Sequence, residues 1–167
     1  MKKFFFKDKR FILRNFNIKD INKEYQSWFN GKNENLKFSR HYNKKYNRDV
    51  LTDNLKNFLN SKNIFLGIFD IKNKELIGTI TVYIDIKKKS GNLGIFIGNK
   101  KFFSKGYALE SCQIVIKFLF KEKIVNSIVS GARNENIKMI NLMKNLKMKR
   151  MIRKDKLNTI YSINKLV

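Results

Sequence analysis

The sequence predicts an α/β (α+β) chain: a mixed, mostly antiparallel central sheet with helices on both faces. Three observations predict it. Apolar runs of β-rich residues and amphipathic helical spacings follow one another in the order β-α-α-β-β-β-α-β-α-β-β. The three consecutive β-runs are joined by short turns, which reads as an antiparallel meander. One long helix separates the last of them from the next β-run, and a right-handed crossover of that kind makes its two flanking strands parallel.

The elements follow from local chemistry. Phe11 to Phe16 reads as a strand, and Asp20 as a helix N-cap ahead of Ile21, Tyr25, Trp28 and Phe29 at helical spacing, with Gly31 ending the helix. Lys32 to Asn47, which contains Ser39-Arg40-His41-Tyr42, reads as a long exposed loop. Val50, Leu51, Leu55, Phe58 and Leu59 mark a second amphipathic helix. Ile64 to Phe69 and Leu76 to Ile84 flank the turn residues Lys72-Asn73-Lys74, and a second turn, Lys87 to Gly91, leads to a strand over Asn92 to Gly98. From Lys105 or Gly106 to Lys121, Ala108, Cys112, Val115 and Leu119 recur at steps of three and four, predicting a helix with one face on the sheet. A strand from Ser127 to Ala132, a helix from Asn136 to Leu146 and a hairpin of Met148 to Arg153 with Asn158 to Ile163 complete the chain.

The 167 residues suffice for one core, which buries roughly 70% of the surface of the extended chain. No repeat or linker interrupts them, so the reading is a single domain over 1–167. With 43% hydrophobic residues the chain is not of the disordered class, despite 30% charged residues. Its apolar runs are too short for the ~20 residues of a membrane-spanning helix. Met1-Lys2-Lys3-Phe4-Phe5-Phe6 opens like a signal peptide, but Lys7-Asp8-Lys9-Arg10 ends the apolar stretch too early, which implies a cytoplasmic protein. One Cys and one His give no disulfide and no zinc cluster, so no metal is expected. The 37 Lys and Arg against 13 Asp and Glu give a net charge of +24, which favours an anionic partner. Thirty of the 37 are Lys, in a chain also crowded with Asn and Ile and without Pro, so part of this charge reflects A/T-rich coding.

The informative segment is Gly98-Asn99-Lys100-Lys101-Phe102-Phe103-Ser104-Lys105-Gly106-Tyr107-Ala108-Leu109-Glu110. A strand ends, a short loop carries three Lys, and Gly106 and Ala108 stand where a helix begins. First-turn N–H groups backed by the helix dipole make an anion site, and small residues let a diphosphate approach the backbone. An ordinary strand-to-helix turn would leave the same pattern.

The same segment resembles the acyl-coenzyme A motif of the GNAT N-acetyltransferase superfamily, in the branch of the ribosomal-protein acetyltransferases. Asn136-Ile137-Lys138-Met139-Ile140-Asn141-Leu142-Met143-Lys144-Asn145-Leu146-Lys147-Met148 is similar to that branch's downstream motif, and Leu13-Arg14 … Asp20 with Trp28 to its opening. The resemblance spans essentially the whole chain and implies a GNAT-like acyl-CoA N-acyltransferase fold with acetyl-CoA as donor. It implies that the backbone at Phe96, Ile97 and Gly98 pairs with the pantetheine arm in a gap between the splayed parallel strands, with an N–H near Ile97 as oxyanion donor. It implies that N–H groups from Ser104 through Lys105, Gly106 and Tyr107 to Ala108 hold the diphosphate, and that the Asn136 side chain touches the pantetheine. Phe103 stands for the family's Trp. Ser104 and Lys147 stand for glycines, a change that suits Ser104 only if its φ is negative. Asn92 and Met143 stand where relatives carry a carboxylate base and a Tyr acid, and Met139 where some carry a Ser.

The candidates for proton transfer are accordingly few. His41 is the one side chain of a type whose unperturbed pKa lies near neutrality, and the resemblance places it on the loop that overlies the acceptor site in this family; the alternative is an exposed loop histidine. Glu110 is the other candidate, or else serves the positive end of its helix. Asp85 could orient an amine or be a surface aspartate. Cys112 lies on the apolar stripe without an activating His and reads as core, and Tyr25 and Trp28 read as packing. The runs Lys87-Lys88-Lys89, Lys100-Lys101 and Lys147 to Arg153 lack interleaved aromatics, which speaks against nucleic acid. The expected function is transfer of an acetyl group from acetyl-CoA to a primary amine of a small molecule, such as a nucleotide-linked amino sugar. The alternatives are a protein N-terminus or ribosomal protein as acceptor, or a catalytically inactive basic module that binds RNA or ribosomes. The oligomeric state, the acyl length and the acceptor are not legible.

Overall fold

The computed structural model describes residues 4–30, 36–39, 41–42, 44–152 and 156–165. Its strands are β1 (Phe5–Lys7), β2 (Phe11–Asn15), β3 (Ile64–Asp70), β4 (Leu76–Asp85), β5 (Ser90–Ile97), β6 (Ser127–Arg133), β7 (Lys149–Met151) and β8 (Asn158–Asn164). They hydrogen-bond in the order β1-β2-β3-β4-β5-β6-β8-β7. Helices α1 (Lys23–Asn30), α2 (Arg48–Leu59), α3 (Tyr107–Lys121) and α4 (Ile137–Asn145) fall where the sequence places helices. The sheet is mixed and mostly antiparallel as expected, and β5 runs parallel to β6 on either side of α3. The chain divides into two compact units, Met1–Thr81 with Ile95–Lys105 and Val82–Gly94 with Gly106–Val167.

In the first unit, β1 is a strand the sequence does not predict. Its three residues pair antiparallel with β2, Phe5 opposite Arg14, and three residues are too few for an alternation to be read. Phe4 is buried while Phe5 is exposed. Asp20 is not the expected N-cap of α1. It closes a single 3₁₀ turn over Ile18–Asp20 that Asn17 caps, in a capping box completed by the Asp20 carboxylate accepting from Asn17 N–H at 2.9 Å. The same carboxylate holds Arg14 through two bonds of 2.8 and 2.6 Å, and Asn22 caps α1 by accepting from Tyr25 N–H at 2.8 Å. Asp20 could be mistaken for the cap because it is acidic and precedes the apolar face by one residue. Gly31, expected to end α1, lies outside the described residues.

The apolar face of α1 buries Tyr25, Trp28 and Phe29 in a cluster with Phe16, Ile21, Leu36, Leu51, Leu55, Phe69 and Leu76. Val50, expected on the apolar face of α2, is exposed, because it lies in the first turn and Leu51 and Leu55 face inward instead. The reverse turn after β3 is built by Asp70, whose carboxylate accepts from Lys72 and Asn73 N–H at 3.0 and 3.2 Å.

In the second unit, the turn after β4 is tighter than the sequence implies. β5 begins at Ser90, so Gly91 is a strand residue; a Cβ there would press on Val82 Cγ1 at 2.9 Å. Asp85 accepts from Lys88 N–H at 3.0 Å and so caps that turn. β5 and β6 pair over Ser90 to Asn92 and Ser127 to Val129, and β6 then pairs antiparallel with β8 along its whole length. On α3, Cys112, Val115 and Leu119 are fully buried. Asn136 caps α4, accepting from Met139 N–H at 3.2 Å, and the helix exits through Lys147 at φ 59°.

Two outcomes follow. Lys147 is exposed and holds a left-handed conformation that costs a side chain roughly 1–2 kcal/mol, partly offset by the entropy a glycine loses, so Lys147→Gly should stabilise the fold by about 0.5–1 kcal/mol in thermal unfolding. Burial pushes the Cys112 thiol up to about 12 and raises the Tyr25 phenol as well. The unfolded chain releases the thiol proton near pH 9, where the folded chain still holds it, so stability present below pH 9 declines as pH rises. Between pH 9 and 10 the thiol contributes a loss of about 1 kcal/mol in urea unfolding, and Cys112→Ala should remove that portion of the decline.

Candidate active site

The end of β5 and the loop after it belong to the first unit, and that unit holds them in place. Gly98 and Asn99 both donate their N–H to Ile77 O, at 3.1 and 3.2 Å. A Cβ on Gly98 would fall within the indole of Trp28, so only glycine lets α1 lie against this point of the strand. Asn99 is buried, and its side chain bonds in three directions. Nδ2 donates to Glu24 Oε1 at 2.9 Å and to Leu76 O at 3.4 Å, while Oδ1 accepts from Lys101 N–H at 3.1 Å. The last bond starts a 3₁₀ turn over Lys100–Phe102, and Lys101 Nζ reaches Glu75 at 3.1 Å. Phe103 follows in extended conformation, half-buried.

Ser104 has φ 58°, so the condition under which it replaces a glycine without strain is not met. Lys105 is exposed, and its carbonyl accepts from both Nη atoms of Arg10 at 3.2 Å each.

His41 is half-buried and tied down, not an exposed loop residue. Its Nδ1 lies 2.6 Å from Tyr46 Oη, and its N–H donates to Ser39 Oγ at 3.2 Å. Tyr46 is itself fixed by Asn30, which accepts from its N–H and donates to its carbonyl, both at 2.6 Å. The Phe29 ring lies 6.0 Å from the His41 ring and 5.7 Å from that of Phe96, which links the loop to β5 through one side chain. The loop is thus less exposed than its polar composition implies, since Leu36 joins the core and Tyr42 and Tyr46 pack on it. Arg10, Glu24 and Tyr46 were missed by sequence reasoning. Their partners lie 95, 75 and 5 residues away with no periodic relation, so no local signal marks them.

The second unit supplies the helix start. Gly106 is the N-cap of α3 at φ 85° and ψ −11°, and it brings no side-chain cap to the first turn. Tyr107 is buried, Ala108 half-buried, and Glu110 half-buried in the first turn, where its charge suits the helix dipole. The Asn136 side-chain Oδ1 is engaged in capping α4. Met143, where a Tyr acid would stand, is fully buried. Asn92 is exposed on β5 opposite Val129, and the buried thiol of Cys112 is held neutral. Among the described residues no group of three or more His, Cys, Asp or Glu side chains could hold a metal ion, and no helix is long and apolar enough to cross a membrane.

A family model described as an acetyltransferase (GNAT) domain matches residues 10–149. The curated relative "Uncharacterized N-acetyltransferase YnaD" of Bacillus subtilis is 32% identical over 75 residues, which are 45% of this chain and 44% of the relative. Among solved structures, the ribosomal-protein-S5-alanine acetyltransferase of Vibrio fischeri superposes with a TM-score of 0.79 at 12% identity, covering 97% of both chains. The microcin C7 self-immunity acetyltransferase MccE, solved with acetyl-CoA and AMP, gives 0.76 at 15% identity over 94% of this chain and 93% of its own. At these identities the superpositions establish the fold. The strand, loop and helix start described above all lie within the matched stretch, and the chain belongs to the GNAT acetyltransferase family.

Proposed function

We propose that the chain, as one domain over 1–167, is an N-acetyltransferase that moves an acetyl group from acetyl-CoA to a primary amine of a small molecule. The observation that carries this reading is the left-handed, side-chain-free Gly106 at the start of α3, directly after a loop fixed by Asn99. Gly106 brings no side-chain cap of its own to this start, and first-turn N–H groups backed by the helix dipole suit an anion. A diphosphate fits that donor set, and the exposed Lys105 adds charge beside it.

Acetyl-CoA would supply an activated acyl group on a thiol leaving group. In this proposal the N–H groups of Ser104 to Ala108 hold the diphosphate, Phe96, Ile97 and Gly98 line the pantetheine, Phe103 flanks it and the Asn136 amide contacts it. The acceptor nitrogen forms the new C–N bond as the C–S bond breaks, and the sulfur leaves with a proton. His41 is the group we assign to removing the ammonium proton. In the tautomer whose Nδ1–H donates to Tyr46 Oη, the lone pair is on Nε2, and that is the tautomer this assignment requires. Glu110, in the first turn of α3 where its charge suits the helix dipole, is the weaker candidate for that step. The acceptor could also be a protein N-terminus or ribosomal protein, as for the Vibrio relative, and an acceptor panel separates the two classes. Cytoplasmic location is part of this proposal.

Calorimetric titration with acetyl-CoA at moderate salt should give micromolar binding; salt-sensitive RNA affinity with no acetyl-CoA binding would assign the chain to the inactive module instead. His41→Ala should lower turnover ten-fold or more on any accepted amine while the acetyl-CoA affinity stays unchanged, and equal rates would remove His41. Turnover can be read by free-thiol release, because with Cys112 held near 12 about one molecule in 10,000 is thiolate at pH 8. The folded protein alone should therefore give no signal with a thiol reagent until denatured.

A further inference from the structure

We infer that Arg10 is a positioning residue for the diphosphate-binding turn, acting through the Lys105 carbonyl. The inference rests on the acetyl-CoA reading above. Arg10 lies between β1 and β2, and its own carbonyl accepts from Ile71 N–H at 3.1 Å, so its backbone is anchored to the sheet. Both Nη atoms donate to Lys105 O at 3.2 Å, across 95 residues of sequence. In a trans peptide the carbonyl and the following N–H point to opposite sides. A guanidinium fixed on the Lys105 carbonyl therefore aims the Gly106 N–H away from Arg10.

The next residues continue that orientation. Gly106 is left-handed and Tyr107 enters the right-handed helix, an alternation that turns successive N–H groups toward a common point. Without the clamp, the peptide between Lys105 and Gly106 can rotate, since Lys105 is exposed and Ser104 and Gly106 on either side hold strained or glycine-only conformations. The rotation would turn the Gly106 N–H out of the set at little cost. Fixing it beforehand spares the ordering entropy at the moment of binding. The opposite end of the loop is held by Asn99, and Arg10 holds this end through the Lys105 carbonyl. Lysine would not reproduce this, because it offers one point charge where the guanidinium offers a planar fork.

The test compares two probes, coenzyme A and pantetheine, the second lacking the diphosphate, by calorimetry and by competition against acetyl-CoA. Arg10→Gln should weaken coenzyme A binding about ten-fold and leave pantetheine binding unchanged. Arg10→Lys should fall between, with a loss of about three-fold confined to coenzyme A. Equal weakening of both probes would mean general loosening of the fold and would overturn the inference, as would full affinity in either variant. Should the glutamine variant not fold, the lysine variant decides by the same two probes. Failure of the unaltered protein to bind coenzyme A would sink the proposed function itself, and the inference with it. Binding by the unaltered protein with no effect of the substitutions would sink the clamp alone.

Discussion

The first unit depends on the contact of Trp28 with Gly98. The indole occupies the space a Cβ would need, so the helix carrying Trp28 lies directly on the backbone just past the end of β5. That seating brings three consequences from one helix. Glu24, one turn earlier, reaches Asn99; Phe29, one residue later, touches Phe96; and Asn30 holds Tyr46, the partner of His41. The helix is a bracket between the strand assigned to the pantetheine and the loop assigned to the acceptor. A larger residue at Gly98 would have to displace the indole, and overpacking of that kind costs typically 1–3 kcal/mol before any effect on the bonds to Asn99 and Tyr46.

Of the six described residues with positive φ, three bear on the candidate site and the helix after it: Ser104 and Gly106 in the loop and Lys147 after α4. Two of the three are not glycine. At these two positions polar residues follow a backbone path that suits glycine, and the surrounding bonds must hold the path against strain. For Ser104 those bonds are identifiable on either side, at Asn99 and at Lys105. For Lys147, its N–H donates to Lys144 O at 2.9 Å and the neighbours Leu146 and Met148 are buried. The strain at Ser104 is what makes the Arg10 bond matter, because a loop in a relaxed conformation would need no clamp.

Much of the fold was legible because it rests on periodicity. The three- and four-residue steps of Ala108, Cys112, Val115 and Leu119 locate α3 to within two residues, and Asn136, expected as the first residue of α4, is its N-cap. What failed was local competition and short length. Asp20 and Asn22 are both good caps two residues apart, and the choice between them is made by Arg14, which draws Asp20 into an ion pair. The strand β1 has three residues and no alternation, and it exists because β2 offers it a free edge. In the candidate site, the helix start could be read from Gly106 and Ala108, while the bonds of Arg10, Glu24 and Tyr46 depend on tertiary approach across segments with no sequence relation.

The charge imbalance bears on both stability and chemistry. The ion pairs Lys56 with Asp53, Lys88 with Asp85 and Arg133 with Glu135 have partners 44 to 80% exposed, and exposed pairs of this kind contribute little. With 37 cations for 13 carboxylates, most lysines have no carboxylate to pair with, so at low ionic strength they repel one another across the surface. Salt then acts in two opposite directions. Screening relieves the repulsion and favours the fold, while it weakens the long-range attraction of a polyanionic donor. The contacts that position the loop escape this trade. Asn99 and the Lys105 carbonyl are neutral, and their charged partners Glu24 and Arg10 hold them through hydrogen bonds of 2.9 and 3.2 Å, well inside a Debye length, so salt alters how often a donor arrives far more than the geometry that receives it.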